Sequence, residues 1–327
     1  MATKLKQAGI QVDYLFSGRP WEDLFEMDAF GDYEWRAGLT FSTKAGHVQY
    51  VKTAFTAHPW TFIRDVKALD LSGYDAVICD FEPVTAWAAR VQGVKTIGIG
   101  HQYAFGYDIP KAGVDFIGSQ ILKYFAPTTV ALGVHWHHFH HPILPPIIET
   151  QADGPAVQPD KIIVYLPFED VNQVIHLLKK FRRYQFFVFS PHMPHERHEK
   201  PDNVHVRQLS RAGFRQDFAS AAGVICNSGF ELTSEALQAG KKLLVKPLHG
   251  QLEQLSNALA LELLQLGQVM QSLDSATIET WLEQSRAIRV KYPDVAKAVV
   301  DWLLGSELQV DKSWIDDIWS QIVPVPV

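Results

Sequence analysis

The chain has 327 residues, of which 47% are hydrophobic and 20% charged, and its formal net charge is −6. This length allows a large buried core and favours two domains over one. The negative charge argues against a nucleic-acid-binding protein, because such proteins usually carry a basic excess. The start of the chain lacks the apolar segment of a secretory signal, and no run approaches the roughly 20 apolar residues of a membrane span. We therefore expect a cytoplasmic protein, with contact at the inner face of the membrane as the alternative.

The two cysteines, Cys79 and Cys226, each end a short apolar run. Neither belongs to a CxxC pair or has a neighbouring base, so catalytic thiol chemistry is disfavoured. The pattern indicates two buried thiols at strand ends, in a reducing compartment.

Apolar runs alternate with helical patterns in the first half of the chain. The pattern predicts buried strands at residues 10–16, 75–79 and 95–100, with helices at 50–69 and 84–91. Such strands, separated by helices, are typical of a parallel sheet covered on both faces. Residues 1–9 already resemble a helix that ends at Gly9, although a doubly wound domain normally opens with a strand and a glycine-rich turn. Either the chain starts late or this domain is built differently.

The proline-rich residues 142–148 predict a stiff linker, which puts the domain boundary near residue 150. We expect a first domain at 1–150 and a second at 151–327. In the second, the pattern predicts strands at 161–167, 184–190, 222–226 and 241–247, and helices at 171–181, 229–238 and 252–266. Two doubly wound units in sequence imply a cleft between them, and such sheets bind ligands at the carboxyl ends of their strands. The spacing of Trp314, Ile315, Ile318 and Trp319 predicts a last helix, which either packs back on the first domain or fills a local core.

The most informative stretch follows the strand that ends at Cys226. The turn Asn227–Gly229 opens a helix there, and the free N–H groups and dipole of a helix start suit a phosphate. Gly229 allows a ligand to approach the backbone closely. Glu231 and Glu235 lie four residues apart on one face of this helix, where a carboxylate can accept hydrogen bonds from the hydroxyls of a ribose.

The following loop carries His249 and leads into a helix that begins near Glu253 and Gln254. Their side chains point toward the same cleft, where they can meet the hydroxyls of a sugar. Asn257, one turn further on, is expected to hold the local backbone in place.

These residues resemble a known family. The stretch NSGFELTSEALQAGKKLLVKP, followed by EQLSNA, is similar to the C-terminal signature of GT-B glycosyltransferases in the style of family 28, which includes the N-acetylglucosaminyltransferase of lipid II synthesis. YDAVICDFEPVTAWAARVQGVKTIGIGHQYAF resembles the strand, Asp, helix, strand, His-Gln run of an uncharacterised prokaryotic branch of these enzymes, and YLPFED resembles the opening of its second domain. The resemblance covers nearly the whole chain, and the C-terminal signature is its specific part.

The resemblance implies an α/β fold of two Rossmann-like domains and a hexosyltransferase that needs neither a metal nor a cofactor. The enzyme would transfer a sugar, with inversion, from a nucleoside diphosphate (UDP above all) to a glycan, lipid or small-molecule hydroxyl. Glu235 takes the place of the ribose ligand, and Glu253 and Gln254 take the place of residues that contact the donor sugar. Ser228, Gly229 and Phe230 match the loop that faces the diphosphate.

The chain departs from the family at two loops. The glycine-rich loop of the first domain, with its catalytic base, has no counterpart, and Pro167–Asp170 lacks the glycines that hold phosphate in other members. Asp80 and His101 follow predicted strands of the first domain, so both are expected to face the cleft. Asp80 is a candidate base or a loop-ordering residue. His101 either contacts the diphosphate or acceptor, or has a structural role.

Three further segments have competing interpretations. The run His135–His141 resembles a metal site, but no single face of a strand there gathers three histidines with an acidic partner, so packing is favoured. His192, His195 and His198 predict a polar loop. Residues 114–125 would form either a membrane-surface helix or an ordinary core helix, and their few basic residues favour the core.

Two other functions fit the same sequence pattern. A UDP-sugar 2-epimerase shares the fold and the helix-start glutamate, but it needs additional acid and base carboxylates. The second alternative is a chain without its first strand that binds a sugar nucleotide without catalysis.

Overall fold

The computed structural model describes residues 1–24, 27–39, 43–44, 47–48, 59–113, 118, 120, 123–149, 155–194, 201–305 and 308–326. The helices are α1 Ala2–Gln7, α2 Pro59–Ala68, α3 Pro83–Gln92, α4 His101–Ala104, α5 Val171–Leu178, α6 Arg211–Ser220, α7 Phe230–Gln238, α8 Leu252–Leu263, α9 Ser275–Gln284, α10 Val295–Gly305 and α11 Lys312–Ser320. The strands are β1 Tyr14–Ser17, β2 Tyr33–Arg36, β3 Thr43–Lys44, β4 His47–Val48, β5 Val77–Cys79, β6 Thr96–Gly100, β7 Val130–Val134, β8 Ile143–Leu144, β9 Gln158–Tyr165, β10 Gln185–Ser190, β11 Val204–Gln208, β12 Ala221–Asn227, β13 Lys242–Lys246, β14 Gln268–Val269, β15 Ile288–Lys291 and β16 Val323–Pro326.

The second half of the chain builds a six-stranded parallel sheet in the order β11-β10-β9-β12-β13-β14. Its central strands are apolar on both faces because helices cover both. Ile162 packs in a core with α5 and α9, whereas Ile163 packs in the core that contains α6, α7 and α8. The α/β fold class predicted from the alternating apolar runs is therefore confirmed.

The first half forms a second parallel sheet, in the order β5-β6-β7-β8. The predicted strand at 10–16 is shorter than expected, and it pairs with β2 in a separate two-stranded sheet. The expectation that residues 142–148 form only a linker was wrong for Ile143 and Leu144, which make β8. The flanking prolines are tolerated because β8 lies at the edge of the sheet, where a residue without an N–H group costs no hydrogen bond to a neighbouring strand.

The two sheets share one apolar core. Ile99 and Val134 of the first sheet belong to the same buried cluster as Phe230 and Ala258 of the second. The indole of Trp136 donates a hydrogen bond to Ser234 Oγ at 2.7 Å. Helix α11 has the predicted stripe, and its Trp319 donates to the carbonyl of Ile143 at 2.7 Å, so the C-terminal helix contacts β8. The domain boundary near residue 150 stays a prediction.

Some predicted segments lie partly outside the described residues. These are residues 50–58 of the helix predicted at 50–69, most of residues 114–122, and His195 and His198. Within the part of the chain that the structure describes, no helix has the length and apolar character needed to cross a membrane.

Candidate active site

The start of α7 lies at the carboxyl end of β12, in the middle of the larger sheet. Gly229 is the N-cap residue, and it has no side chain to bond the N–H groups of the first turn. A Cβ atom at Gly229 would meet nothing within 4 Å, so this helix start borders open space. Glu231 lies in the first turn and is exposed. The helix start therefore has room for an anion, as the sequence predicts.

The loop behind this helix start is held by side chains that the sequence assigned to ligand binding. The hydroxyl of Ser228 donates to the carbonyl of Gln254 at 2.8 Å, and Gln254 Oε1 accepts the N–H of Leu248 at 3.1 Å. Asn257 Nδ2 donates to the carbonyl of Ser228 at 2.9 Å, which confirms that Asn257 fixes the local backbone. All three polar side chains are buried. Contact of Ser228 and Gln254 with a donor stays a prediction, but both help to fix the loop.

Glu235 lies in the second turn of α7, half-buried. Burial raises the pKa of its carboxyl group, and the charge of Glu231 raises it further. The guanidinium groups of Arg215 and Arg211 oppose this rise. Both arginines belong to α6, which the sequence analysis did not predict. The ribose role of Glu235 is thus still a prediction, and the structure adds two cations to its surroundings.

Asp80 lies at the carboxyl end of β5, directly beside the end of β6. A Cβ atom at Gly100 would come within 2.9 Å of Asp80 Oδ1, so a glycine is needed for the carboxylate to lie there. Asp80 is exposed. The surrounding protein still removes much of its water, and together with the negative charge of Glu231 it raises the pKa of Asp80 to about 6. The effect of the Glu231 charge on this pKa indicates that the Asp80 carboxylate lies near the first turn of α7.

The backbone after Asp80 is strained. Phe81 has a φ of 51°, in the left-handed region that non-glycine residues rarely adopt. This sharp turn lets α3 begin at once, with Glu82 as N-cap and its carboxylate accepting the N–H groups of Val84 and Thr85 at 2.7 Å each. The turn leaves Asp80 outside the cap network, at the tip of the strand.

His101 begins α4 at the end of β6 and is buried. Its Nδ1 lies 2.9 Å from the carbonyl of Val134, and its Nε2 lies 2.7 Å from Asn257 Oδ1. The ring stacks on Phe230, with centroids 3.9 Å apart and planes 7° from parallel. Both ring nitrogens have partners within the protein, so His101 links the first sheet to the loop at Ser228. Phe230 correspondingly packs on His101.

The remaining predicted residues lie nearby. Gln102 Nε2 approaches Glu253 Oε2 at 3.5 Å, which brings Glu253 to the same junction. His249 is exposed in the loop before α8. Burial raises the pKa of Cys79 to about 11 and that of Cys226 to about 12, so both thiols stay protonated at neutral pH.

The run His135–His141 does not continue β7 as a strand. Phe139 and His140 have φ values of 47° and 64°, and the run forms a turn instead. Burial holds the pKa of His135 well below its usual value, with smaller effects from His101 and His137. His192 follows β10, where its N–H is bonded to Ser190 Oγ. Among the described residues, no group of three or more His, Cys, Asp or Glu side chains is arranged to hold a metal.

Sequence reasoning missed one charged pair at this edge of the larger sheet. Lys246, the last residue of β13, bonds Glu169 in the loop after β9 at 2.6 Å, and both side chains are largely buried. Between them ends β12, whose Asn227 pairs in register with Lys246 and donates to its carbonyl at 2.9 Å. The glycine-poor loop at Pro167–Asp170 is thus tied to the sheet by an ion pair.

Two parallel α/β units whose strand ends meet at one junction are the architecture of the GT-B fold. The family model "Glycosyl transferase family 1" matches residues 3–285, and the chain belongs to this family. The predicted class of enzyme is therefore confirmed, although the matching model is that of family 1. No curated protein sequence matches the chain.

Solved structures of similar fold include MurG of Acinetobacter baumannii, with 16% identity, a TM-score of 0.52, and coverage of 98% of this chain and 94% of that one. The calicheamicin glycosyltransferase CalG4 has 16% identity and a TM-score of 0.56, with coverage of 98% and 89%. UGT89C1 of Arabidopsis thaliana, complexed with UDP, has 12% identity and a TM-score of 0.56, with coverage of 98% and 94%. At these identities the likeness shows the shared fold.

Proposed function

We propose that this glycosyltransferase moves a sugar from UDP to a hydroxyl acceptor, in the cytoplasm, with inversion and without a metal ion. The observation that carries the proposal is the position of Asp80: it stands exposed at one strand end, with a raised pKa, opposite the open start of α7. This pairs a base on one side with a phosphate-binding element on the other.

The donor half binds the nucleotide in this proposal. The open N–H groups beyond Gly229 receive the diphosphate, and the helix dipole stabilises the charge that builds up as UDP departs. Glu235 accepts hydrogen bonds from the ribose, while Glu253, Gln254 and His249 border the sugar. The Arabidopsis enzyme, which has a similar fold, is complexed with UDP, and this supports UDP as the nucleotide of the donor.

Asp80 acts on the acceptor. Its carboxylate takes the proton from the acceptor hydroxyl as that oxygen attacks the anomeric carbon. The bond between the anomeric carbon and the UDP oxygen breaks with its electrons going to the diphosphate. Attack opposite to the leaving group inverts the anomeric centre. A base with a pKa near 6 is largely ionised at neutral pH and still basic enough to accept the proton.

The experiment is a calorimetric titration of the purified chain with UDP-, GDP- and TDP-sugars, without added metal. We expect saturable binding of a UDP-sugar. Glu235→Ala should weaken it by about ten- to a hundredfold, because charge-assisted hydrogen bonds contribute about 1.5–3 kcal/mol. The matched control is Glu279→Ala, on the exposed surface of α9, which should bind as the wild type does.

The outcomes separate the alternatives. Unchanged affinity in Glu235→Ala would contradict the ribose assignment. Release of UDP from the donor without any acceptor, together with a free sugar or an epimer, would identify an epimerase. Binding of nucleotide sugars with no turnover for any hydroxyl acceptor would favour a non-catalytic binding protein.

A further inference from the structure

The loop between β1 and the helical turn at Trp21–Asp23 carries a cation that the proposed function does not use. Arg19 lies two residues after Ser17, which ends β1, and its side chain is exposed. We propose that Arg19 binds the diphosphate of the donor from the side of the first sheet, opposite the start of α7. This inference rests on the proposed function, because it adds a ligand contact to the same donor site.

The loop is anchored at the edge that carries the proposed base. Ser17 Oγ donates to Glu82 Oε1 at 2.5 Å, and Glu82 lies two residues after Asp80. A Cβ atom at Gly38 would lie 2.4 Å from Ser17 Oγ, so the segment after β2 packs closely on this hydroxyl. The chain then turns at Gly18, whose φ of 86° lies in the left-handed region that favours glycine. These contacts fix the direction in which the chain leaves β1.

The backbone of Arg19 is held, while its guanidinium group is left for a ligand. The indole of Trp35 donates to the carbonyl of Arg19 at 2.8 Å. Among the residues that the structure describes, no carboxylate forms an ion pair with Arg19. The carboxylate of Glu82 is occupied by the hydroxyl of Ser17 and by N–H groups at the start of α3. A cation on a fixed backbone suits an anionic ligand, because less freedom is lost when the ligand binds.

The charge of Arg19 reaches the donor side of the junction. Tyr165 ends β9, and burial raises the pKa of its hydroxyl group, whereas the guanidinium group of Arg19 opposes this rise. Tyr165 pairs in register with Cys226 of β12, the strand that leads to Gly229. Its ring packs against the apolar cluster that contains Phe230. Arg19 therefore lies within electrostatic range of the strand ends from which α7 begins.

A diphosphate at this junction needs a cation beside it. Three carboxylates there would repel the phosphates, namely those of Asp80, Glu231 and Glu253. Two cations of the second half are already used in ion pairs, Lys246 with Glu169 and Arg215 with Glu149. The charge of Arg19 is available, and a planar guanidinium group matches two oxygens of a phosphate with parallel hydrogen bonds.

The surroundings of Arg19 favour the donor over the acceptor as its ligand. The acceptor hydroxyl must approach Asp80, whose pKa responds to the charge of Glu231. Arg19 acts instead on Tyr165, beside the strand that leads to the proposed phosphate loop. In that place its charge would hold the diphosphate and stabilise the negative charge that UDP gains as it departs.

The test compares UDP with uridine by calorimetry, in the wild type and in Arg19→Gln. UDP should bind about ten- to a hundredfold more weakly to the variant, because a charge-assisted contact is lost, while uridine affinity stays within about twofold. Arg182→Gln is the matched control, since Arg182 is exposed and precedes β10, at the amino end of the larger sheet. It should bind both ligands as the wild type does. Urea unfolding of Arg19→Gln should coincide with that of the wild type, because the side chain is exposed.

The outcomes separate this proposal from the proposed function. If the wild type binds UDP and Arg19→Gln loses no affinity for it, or loses UDP and uridine affinity equally, the Arg19 contact is overturned and UDP binding stands. Unchanged UDP affinity with a raised KM for the acceptor would assign Arg19 to the acceptor, which also overturns the proposal. If UDP does not bind the wild type at all, the proposed function fails, and the Arg19 contact fails with it.

Discussion

The candidate site lies where the strand ends of the two sheets meet, and its two sides are built differently. On the donor side, Ser228, Gln254 and Asn257 are buried and bonded to one another, so the loop before α7 is fixed before any ligand arrives. On the other side, Asp80 is exposed, has a raised pKa and precedes the strained Phe81. The contrast matches the roles that we propose, with nucleotide binding on the donor side and a proton acceptor on the first sheet, where the protein is unfavourable to its charge.

Asp80→Asn tests the reactive side and should have the largest effect. Without a proton acceptor, kcat should fall by about a hundredfold to ten-thousandfold, while the affinity for the donor stays within about twofold. The wild-type rate should rise as the pH increases through about 6, because Asp80 then loses its proton. The measurement is the pH profile of kcat for both proteins. Asp70→Asn, on the surface, serves as the control.

The carboxyl group of Asp80 should lower the stability of the protein as the pH rises, whereas it should raise kcat. Because folding raises the pKa of Asp80 from 3.8 to about 6, the folded state favours the protonated form. Its contribution to stability is therefore present below about pH 4 and is lost as the pH rises through about 6. Thermal unfolding should show a higher Tm for Asp80→Asn than for the wild type at pH 7. A lower Tm there would mean that Asp80 stabilises the fold, and the contrast between the two sides would fail.

Lys246→Met tests whether the donor side is held rigidly. Removing Lys246 leaves the largely buried Glu169 unpaired, so the free energy of unfolding should fall by about 3–5 kcal/mol. The double variant with Glu169→Leu removes both charges and should recover most of this loss. Urea unfolding of the three proteins measures the difference. Equal losses in the single and double variants would mean that the pair contributes through packing alone.

The strands of the larger sheet could be predicted because they are buried on both faces. Runs such as KIIVYLP and KKLLVKP are apolar throughout, and the predicted bounds differ from β9 and β13 by one to three residues. The missed elements lack this signal. β11, VHVRQ, lies at the sheet edge and is half polar, and α6 has few apolar residues. β7 was not predicted, because the histidine run that directly follows it obscures its apolar pattern.

The site was predictable only where its residues are close in sequence. The spacing from Gly229 to Glu235 and on to Gln254 follows from one β-α-β-α unit. The bond between His101 and Asn257 joins residues 156 positions apart, and the Lys246–Glu169 pair joins residues 77 apart. Such pairs depend on how the sheets and loops are placed, which local periodicity does not determine. The sequence predicts contact of Gln254 with the donor but not its bond to the N–H of Leu248, because a polar residue in a first helical turn has the same pattern in both roles.

Two glycine substitutions, one on each side of the site, compare how closely the two sides are packed. At Gly133 in β7, a Cβ atom would lie 2.7 Å from backbone atoms of Ala104, so Gly133→Ala should lower the free energy of unfolding by about 1–3 kcal/mol. At Gly229 it would meet nothing within 4 Å, and φ is −69°, so Gly229→Ala should cost less than about 1 kcal/mol, the difference between these residues at an N-cap.

The methyl group at Gly229 would nevertheless occupy the space that the diphosphate needs. UDP affinity in Gly229→Ala should therefore fall by about tenfold, with uridine affinity and the unfolding curve nearly unchanged. Calorimetry and urea unfolding of the same samples measure both. If UDP binds this variant as tightly as the wild type, the open space at the start of α7 is not where the diphosphate lies. A loss of UDP affinity without a loss of stability would place the diphosphate at the start of α7. The folded protein leaves that helix start open without a ligand, so the donor side would already have its binding geometry before the nucleotide arrives.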